Sequence, residues 1–349
     1  MLDYLKALTF DFERDGESAS AVLIYATPDE DTPGAYRAIT AADTGFEGIA
    51  CVDDTARAVL LALGVYERSE TRPALTLARR WLSFVEYMQY PDGSFANFIR
   101  NASGVRNATG ETSQKGGLWW SSRALWALAR AYRITGSQHY LERYHACTLE
   151  EVPDGKINGV LALAALELFS ADGDQQWKQR ALHHCDLIIE TTGDAPYLLD
   201  HPHSNRVNLW GYHQLHALAA ASELLDRRDY LKPCRRTIQN LIEPDIRALM
   251  WHAFPSEQKD GVTAYDVAPL VLALGTMCRA TGAQRYRQLA LRAAAWFYGR
   301  NDARTKMYDP TTGRCRDGIN AGVASLNCGA ESAIEAGLAE LERRDLLDE

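Results

Sequence analysis

The strongest constraint on the fold is a helix type that recurs along the 349-residue chain. These segments are rich in alanine and leucine and apolar around most of their circumference, as at residues 161–166. A helix that is apolar on all sides is buried on all sides. We predict six such helices, at residues 54–67, 118–132, 156–169, 211–225, 266–279 and 330–341.

Amphipathic helices with one charged face alternate with the apolar ones. We place them at residues 74–90, 138–151, 175–190, 230–249 and 284–300, with a shorter candidate at 2–13. Alternating buried and half-buried helices predict an all-α fold, the (α/α)6 toroid, in which an outer ring encloses an inner ring. Alanine suits the inner ring because it combines small size with high helix propensity. We expect a single domain over residues 1–349, with minor β-hairpins at 21–25 and 94–99.

Connection lengths indicate where function lies. The connections that enter the apolar helices are mostly long, notably residues 91–117, 191–210, 250–265 and 301–329, whereas the returning ones are short. In an alternating ring the long loops lie on one face, at the N-termini of the inner helices. Long loops inside a compact domain are usually functional. We therefore predict a cavity with the active site on that face.

Composition excludes several classes of function. The formal charge is −9 and basic residues do not cluster, which argues against a nucleic-acid partner. The apolar stretches are too short to span a membrane, and the N-terminus lacks signal-peptide features. Seven cysteines without a C-x-x-C pair indicate neither a zinc site nor a disulfide framework. We expect a cytoplasmic protein without a metal or cofactor.

Aromatic and polar residues in the long loops could hold a sugar ring, whose C–H face packs on aromatic faces. The aromatic set is Trp119, Trp120, Trp210, Trp251, Tyr212, Phe254, Tyr265 and Tyr308. The polar candidates for substrate binding are Asp53, Asn97, Arg123 and His213. Alternatively, the aromatic side chains plug the end of the ring, and Arg123 pairs with an acid.

Three carboxylates stand at the starts of predicted inner helices, and we take Asp54, Glu331 and Asp266 as catalytic candidates. Glycoside hydrolysis needs two carboxyl groups flanking the bond. If the ring closes, Glu331 lies beside Asp54, near the ~6.5–9.5 Å separation of inverting enzymes. We reject Asp53 with Asp54 as that pair, because consecutive helical residues point in different directions.

The roles within this pair follow from the helix dipole, which lowers carboxylate pKa values and so suits a base. We assign Asp54 as base and Glu331 as acid. The alternative for Asp54 is an acidic helix cap that pairs with Arg57 one turn later. Asp266 could likewise be partly a cap, with Pro269 tolerated in the first turn.

Five motifs resemble the six-hairpin glycosidase superfamily, whose members are (α/α)6 toroids that act on oligosaccharides. They are Cys51-Val52-Asp53-Asp54, Pro91-Asp92-Gly93-Ser94-Phe95, Trp119-Trp120, Gly211-Tyr212-His213-Gln214 and Gly329-Ala330-Glu331-Ser332. The complete motif set of a single family, such as the unsaturated glucuronyl hydrolases, is not matched. The resemblance implies a carbohydrate-active enzyme with an oligosaccharide or polysaccharide substrate, and we expect a glycoside hydrolase.

Other functions stay open on the same scaffold. His213 and Tyr212 could be the main catalytic residues of a polysaccharide lyase or a sugar epimerase. A non-catalytic glycan-binding protein would keep the aromatic residues without chemistry. A terpenoid-type enzyme is disfavoured, because Arg57 stands where its magnesium-binding aspartate motif needs an acid.

Overall fold

The computed structural model describes residues 1–32, 36–39, 47–204, 207–248 and 261–348. The chain divides into two compact units. The first unit comprises Met1–Glu150, Asp309–Arg316 and Leu326–Gly337, and the second unit comprises Glu151–Tyr308, Asp317–Ser325 and Leu338–Glu349. A single domain over the whole chain stays a prediction.

Helices occur at all six predicted apolar positions. They are α2 (Val52–Ser69), α4 (Leu118–Thr135), α6 (Gly155–Asp172), α8 (Gln214–Leu224), α11 (Ala264–Thr281) and α13 (Ala330–Asp348). Helix α8 begins three residues later than predicted, and α13 extends further toward the C-terminus. Residues 52–64 of α2 are all buried, as expected for a helix that is apolar around its circumference.

The amphipathic helices are confirmed in position, but several are shorter than predicted. They are α3 (Arg72–Tyr87), α5 (Gln138–Ala146), α7 (Gln175–Thr192), α9 (Leu231–Thr237), α10 (Glu243–Arg247) and α12 (Gln284–Ala294). The helix predicted over residues 230–249 is confirmed from α9 to α10, which a π-helical turn at Ile238–Ile242 joins without a break. Pro244 follows this turn and has no N–H for a hydrogen bond to the preceding turn.

The short helix predicted at residues 2–13 is confirmed only in its first half. Helix α1 covers only Asp3–Ala7, and β1 (Thr9–Arg14) follows it and pairs with β2 (Glu17–Val22). Asp15 and Gly16 form the turn with φ angles of 55° and 81°. Two consecutive positive φ angles are what a two-residue hairpin turn needs, and Asp-Gly is a strong signal for it.

The remaining strands are short and antiparallel where their pairing is described. They are β3 (Ala26–Pro28), β4 (Tyr36–Ala38), β5 (Ala50–Cys51), β6 (Phe98–Ile99), β7 (Arg106–Asn107), β8 (Val262–Thr263), β9 (Tyr308–Asp309), β10 (Arg314–Cys315), β11 (Gly318–Asn320) and β12 (Val323–Ala324). In the first unit, β6 lies between β5 and β7, and β5 leads directly into α2. In the second unit, β11 lies between β8 and β12.

Two sets of contacts hold the start of α13 beside α2 in the first unit. The backbone before α13 is bonded to the N-terminal segment, since Ala330 N donates to Ile24 O (2.7 Å) and Cys328 N to Ala26 O (3.0 Å). Further along, Gly337 packs so closely that a Cβ atom there would lie 2.7 Å from Leu61 Cδ2. The first turns of α2 and α13 therefore lie side by side.

The second unit is built from helices packed in chain order. Helix α6 packs against α7 and α8, α8 packs against α11, and α11 packs against α12. Gly159 of α6 approaches the chain at His213 so closely that a Cβ atom would lie 3.0 Å from the His213 carbonyl carbon. This contact fixes the start of α8 against the first turn of α6.

Candidate active site

The first turn of α2 is capped without using either of its aspartate side chains. Cys51 is the N-cap residue, and its Sγ accepts a hydrogen bond from the Asp54 amide (3.3 Å). Asn97 accepts from the two preceding amides, with its carbonyl bonded to Val52 N (2.9 Å) and its Oδ1 to Asp53 N (3.2 Å). Neither carboxylate therefore takes part in capping the helix. The alternative interpretation of Asp54 is wrong about the cap, but its pairing with Arg57 one turn later is confirmed. Asn97 positions the site through backbone amides.

The guanidinium of Arg57 gathers four carboxyl groups in the first unit. Its Nη2 lies 3.0 Å from Asp53 Oδ2, 2.6 Å from Asp54 Oδ1 and 3.1 Å from Glu331 Oε2. Its Nη1 donates to Glu335 Oε1 at 2.7 Å. The Arg57 side chain is only 1% exposed. We call these five residues the Arg57 cluster.

Asp54 and Glu331 meet here as predicted, but closer than predicted. Carboxyl oxygens of Asp53, Asp54 and Glu331 all lie within 4.8 Å of one another. Arg57 lies one turn later, and its Nη2 contacts both consecutive aspartates. The rejection of Asp53 with Asp54 as the catalytic pair stays a prediction. The same three oxygens are near enough to bind a divalent cation, but Arg57 Nη2 already lies within 3.1 Å of each of these carboxylates.

Arg123 supports the cluster from α4. Its Nε lies 3.3 Å from Asp53 Oδ1, and its guanidinium stacks on the Trp119 ring at 4.5 Å from the centroid. The Arg123 side chain is fully buried. Arg123 is therefore placed as a partner for Asp53. Pairing with an acid is one of the two roles that the sequence left open for it, the other being contact with an acidic substrate.

Burial dominates the ionisation of the Arg57 cluster. It raises the pKa of Asp54 to about 8, and nearby Glu331, Asp53 and Glu335 act in the same direction while Arg57 opposes them. Burial also raises the pKa of Glu335 to about 7, again against Arg57. The expected lowering of the Asp54 pKa by the helix dipole is therefore wrong. Burial thus favours the protonated form of Asp54 and of Glu335.

Exposure separates the members of the cluster. The Glu331 side chain is 27% exposed, whereas those of Asp53, Asp54 and Glu335 are buried. Glu331 is thus the carboxylate that a molecule arriving from solvent contacts first. Glu335 was missed by the sequence analysis, although it follows Glu331 by four residues and so shares its helix face.

Asp266 lies in the second unit and serves as a helix cap. Its Oδ2 accepts from the amide of Thr263 (2.6 Å) and from the Thr263 hydroxyl (2.9 Å), which forms a capping box at the start of α11. Pro269 lies inside α11, beyond the first turn, and has no N–H to donate to Tyr265 O. That carbonyl accepts from Gly211 N instead (3.2 Å). A catalytic role for Asp266 stays a prediction.

The histidines of the second unit lie near an aromatic pair. His213 is buried at the N-cap of α8, with its ring 6.0 Å from that of His216 and 6.3 Å from that of Tyr265. Tyr265 in turn contacts Trp210 edge to face, with ring centroids 4.7 Å apart. Tyr212 is fully buried and its hydroxyl donates to Leu198 O (2.7 Å). Its position is structural, and the predicted contact with a sugar finds no support in it.

The remaining aromatic candidates differ in how deeply they are buried. Trp120 is buried and its Nε1 donates to Phe95 O (3.0 Å), so it packs rather than offering a face to a ligand. Trp119 is half-buried beside Arg123. Trp251 and Phe254 lie outside the described residues.

A buried ion pair in the second unit was also missed. Lys156, in the first turn of α6, places Nζ 3.5 Å from Asp200 Oδ2, and both side chains are about nine-tenths buried. Burial lowers the pKa of Lys156, with Asp200 opposing. Gln214 Nε2 also donates to Asp200 Oδ1 (3.0 Å), which links the starts of α6 and α8.

Comparison with known proteins finds similar folds among solved structures. No family model and no curated protein matches the sequence. Among solved structures, cellobiose 2-epimerase from Bacillus thermoamylovorans B4167 is similar with a TM-score of 0.72 and 13% identity, over 98% of this chain and 96% of that one. A glycosyl hydrolase family 88 protein from Bacteroides vulgatus is similar with a TM-score of 0.59 and 12% identity, over 84% and 91%.

A third similar structure is the GH76A α-1,6-mannanase of Salegentibacter sp. HEL1_6. An inactive variant with two consecutive aspartates replaced by alanine, in complex with α-1,6-mannotetrose, aligns with a TM-score of 0.52 and 14% identity over 76% of this chain and 99% of that one. These likenesses confirm the (α/α)6 toroid fold that the sequence predicts, and no single family is matched. Among the described residues, no helix has the length and apolar character needed to cross a membrane.

Proposed function

We propose that the protein is a glycoside hydrolase that uses Asp54 and Glu331 of the Arg57 cluster to cleave an oligosaccharide. The observation that carries this proposal is the convergence of the Asp53, Asp54 and Glu331 carboxyl oxygens to within 4.8 Å of one another. Buried charges are costly without a partner or a task, and here four carboxyls share two guanidiniums. Similarity to both hydrolases and epimerases supports a carbohydrate-active enzyme.

The environments of the two carboxyls suggest roles opposite to those expected from sequence. Asp54 is buried and its pKa is raised to about 8, so it carries the proton that a general acid donates at neutral pH. Glu331 is the most exposed member of the cluster, and its Oε2 lies 3.1 Å from Arg57 Nη2. Glu331 is therefore the nucleophile in this proposal.

The spacing favours retention of anomeric configuration. Retaining enzymes hold their carboxyls about 5–5.5 Å apart, whereas inverting enzymes need about 6.5–9.5 Å to admit a water molecule. The oxygens here approach within 4.8 Å, nearer to the first range. Glu331 attacks the anomeric carbon and forms an ester while Asp54 gives its proton to the departing oxygen. Water then gives a proton to Asp54, attacks the same carbon and releases Glu331.

The first substrate to test is an α-1,6-linked mannooligosaccharide. The mannanase variant bound to α-1,6-mannotetrose is inactive when two consecutive aspartates are replaced, and Asp53-Asp54 is such a pair in this chain. Asp53 is accordingly the rival nucleophile. It is less exposed than Glu331 and is held by Arg57 and Arg123. We further propose that the enzyme acts in the cytoplasm.

The experiment is a glycan panel assayed for newly formed reducing ends, led by α-1,6-mannotetrose. We expect Asp54→Asn and Glu331→Gln to lose at least a hundredfold in kcat while still binding the glycan, since a positioned acid or base contributes ~10²–10⁴. The matched control is Glu340→Gln, another buried carboxylate on α13 that pairs with Arg343 and Arg344. Turnover that survives both site variants would overturn the proposal.

A sugar epimerase is the second candidate, because His213 lies buried within reach of His216 and Tyr265. An imidazole there could remove and return a proton at the carbon beside a carbonyl group. Epimerisation would introduce deuterium at that carbon in D₂O without release of reducing ends, and His213→Ala would abolish it. Glycan binding without either reaction would identify a non-catalytic binding protein.

A further inference from the structure

Glu335 is a buried carboxyl that the proposed reaction does not use. Its side chain is 1% exposed, and Oε1 accepts from Arg57 Nη1 (2.7 Å). Its second oxygen, Oε2, is buried and has no hydrogen-bond partner among the residues that the structure describes. An ionised carboxylate with one unpaired oxygen in the interior is costly. Such a group needs an explanation beyond that of a simple ion pair.

Arg57 connects Glu335 to the reacting carboxyls. One terminal nitrogen contacts Glu335, and the other contacts Asp53, Asp54 and Glu331. The charged groups that face Glu335 are Arg57 and Asp54 from α2, Arg123 from α4 and Glu331 from its own helix. Four carboxyls against two guanidiniums leave a net charge of −2 if all are ionised, so the cluster is short of positive charge.

We propose that Glu335 is a positioning residue that holds Arg57 and, by occupying part of its positive charge, keeps a proton on Asp54. The inference rests on the proposed function in taking Asp54 as proton donor. Removal of the Glu335 charge would leave more of the guanidinium to stabilise ionised Asp54. Burial is the main cause of the raised pKa of Asp54, and the nearby Glu335 carboxyl acts in the same direction.

The test is the titration of Asp54 in the full-length protein, measured by carbon-13 NMR of labelled aspartate carboxyls and assigned with Asp54→Asn. In Glu335→Gln we expect the Asp54 midpoint to fall by about one to two pH units, the size of one unit charge a few ångströms away. Glu335→Asp keeps the charge and should move the midpoint back. Glu340→Gln, on the same helix, should leave it unchanged.

Failure of this inference is distinguishable from failure of the proposed function. An unchanged Asp54 midpoint in folded Glu335→Gln overturns the role of Glu335, whether or not the enzyme cleaves glycans. A midpoint that moves in a protein without glycosidase activity upholds it and removes only the proposed reaction. If Glu335→Gln does not fold, the inference is tested on the wild-type protein instead. Labelled Glu335 and Asp54 should then each report the titration of the other, and independent single-step titrations would contradict the inference.

Discussion

Arg57 Nη2 lies 2.6 Å from Asp54 Oδ1, and this contact joins a guanidinium to a carboxyl group that burial tends to keep protonated. The same nitrogen contacts Asp53 and Glu331. A single arginine therefore bridges three carboxyl groups of the candidate active site, and it opposes the effect of burial on the pKa of Asp54.

Replacement of Arg57 by methionine should strongly destabilise the protein. Removal of one partner from a buried ion pair typically costs ~3–5 kcal/mol, because the remaining charges stay buried without compensation. We expect a loss of this size in the unfolding free energy from urea titration at pH 7. Lys115→Ala is the control, since Lys115 pairs with Asp92 and both side chains are exposed. An exposed pair contributes little to stability. Equal losses in the two variants would contradict the central position of Arg57.

Stability should fall as the pH rises through the neutral range. The folded-state pKa values of Asp54 and Glu335, about 8 and about 7, lie above their ordinary values of 3.8 and 4.5. The native state then binds more protons than the unfolded state between these limits, so the unfolding free energy decreases with increasing pH. Urea titrations from pH 5 to 8 should show this decrease, and Asp54→Asn should reduce it. A wild-type stability that rises over this range would contradict the raised pKa values.

Tyr212→Phe tests whether the Tyr212 hydroxyl is structural. The hydroxyl donates to Leu198 O inside the second unit. Loss of one buried hydrogen bond should lower the unfolding free energy by about 1–3 kcal/mol, since the carbonyl is left without its partner. We expect kcat and KM to stay at wild-type values on any glycan that the enzyme cleaves. A selective rise in KM without loss of stability would restore the substrate contact predicted from sequence.

Gly337→Ala tests the close approach of α13 to α2. The added methyl group would lie 2.7 Å from Leu61 Cδ2 and 3.0 Å from Cδ1. Overpacking of this kind costs about 1–3 kcal/mol. The double variant with Leu61→Ala removes the clashing methyl groups, so its loss should be smaller than the sum of the two single losses. Additive losses would show that the two residues do not meet.

Much of the fold could be predicted because burial on all sides leaves a plain composition signal. Residues 160–166 are apolar throughout, and α6 lies there. The hairpin at the N-terminus was missed although Asp15-Gly16 carried its turn signal, because residues 2–13 also suit a short helix. The π-helical turn at Ile238–Ile242 was not predicted, because it lies inside a helix that continues from α9 to α10.

The candidate site was predictable in position but not in ionisation. Asp54 and Glu331 could be paired because both begin apolar helices, and closure of a ring brings such starts together. The pKa of Asp54 depends on burial and on Glu331, Asp53 and Glu335. Their effect is set by their distances from Asp54 in space, and the spacing of residues along the chain does not reveal those distances. From the sequence alone, Glu335 is one more charged residue on a helix, because the sequence does not show that Arg57 faces it.

The most direct test of the account compares leaving groups in the Asp54 and Glu331 variants. On an oligosaccharide cleaved by the wild-type enzyme and on an aryl glycoside of the same sugar with an activated leaving group, Asp54→Asn should lose far more turnover on the oligosaccharide, which needs protonation. Glu331→Gln should lose turnover on both, since each requires the nucleophile. Equal losses on both substrates in Asp54→Asn would contradict Asp54 as the acid, and full activity in Glu331→Gln would contradict the paired-carboxylate mechanism.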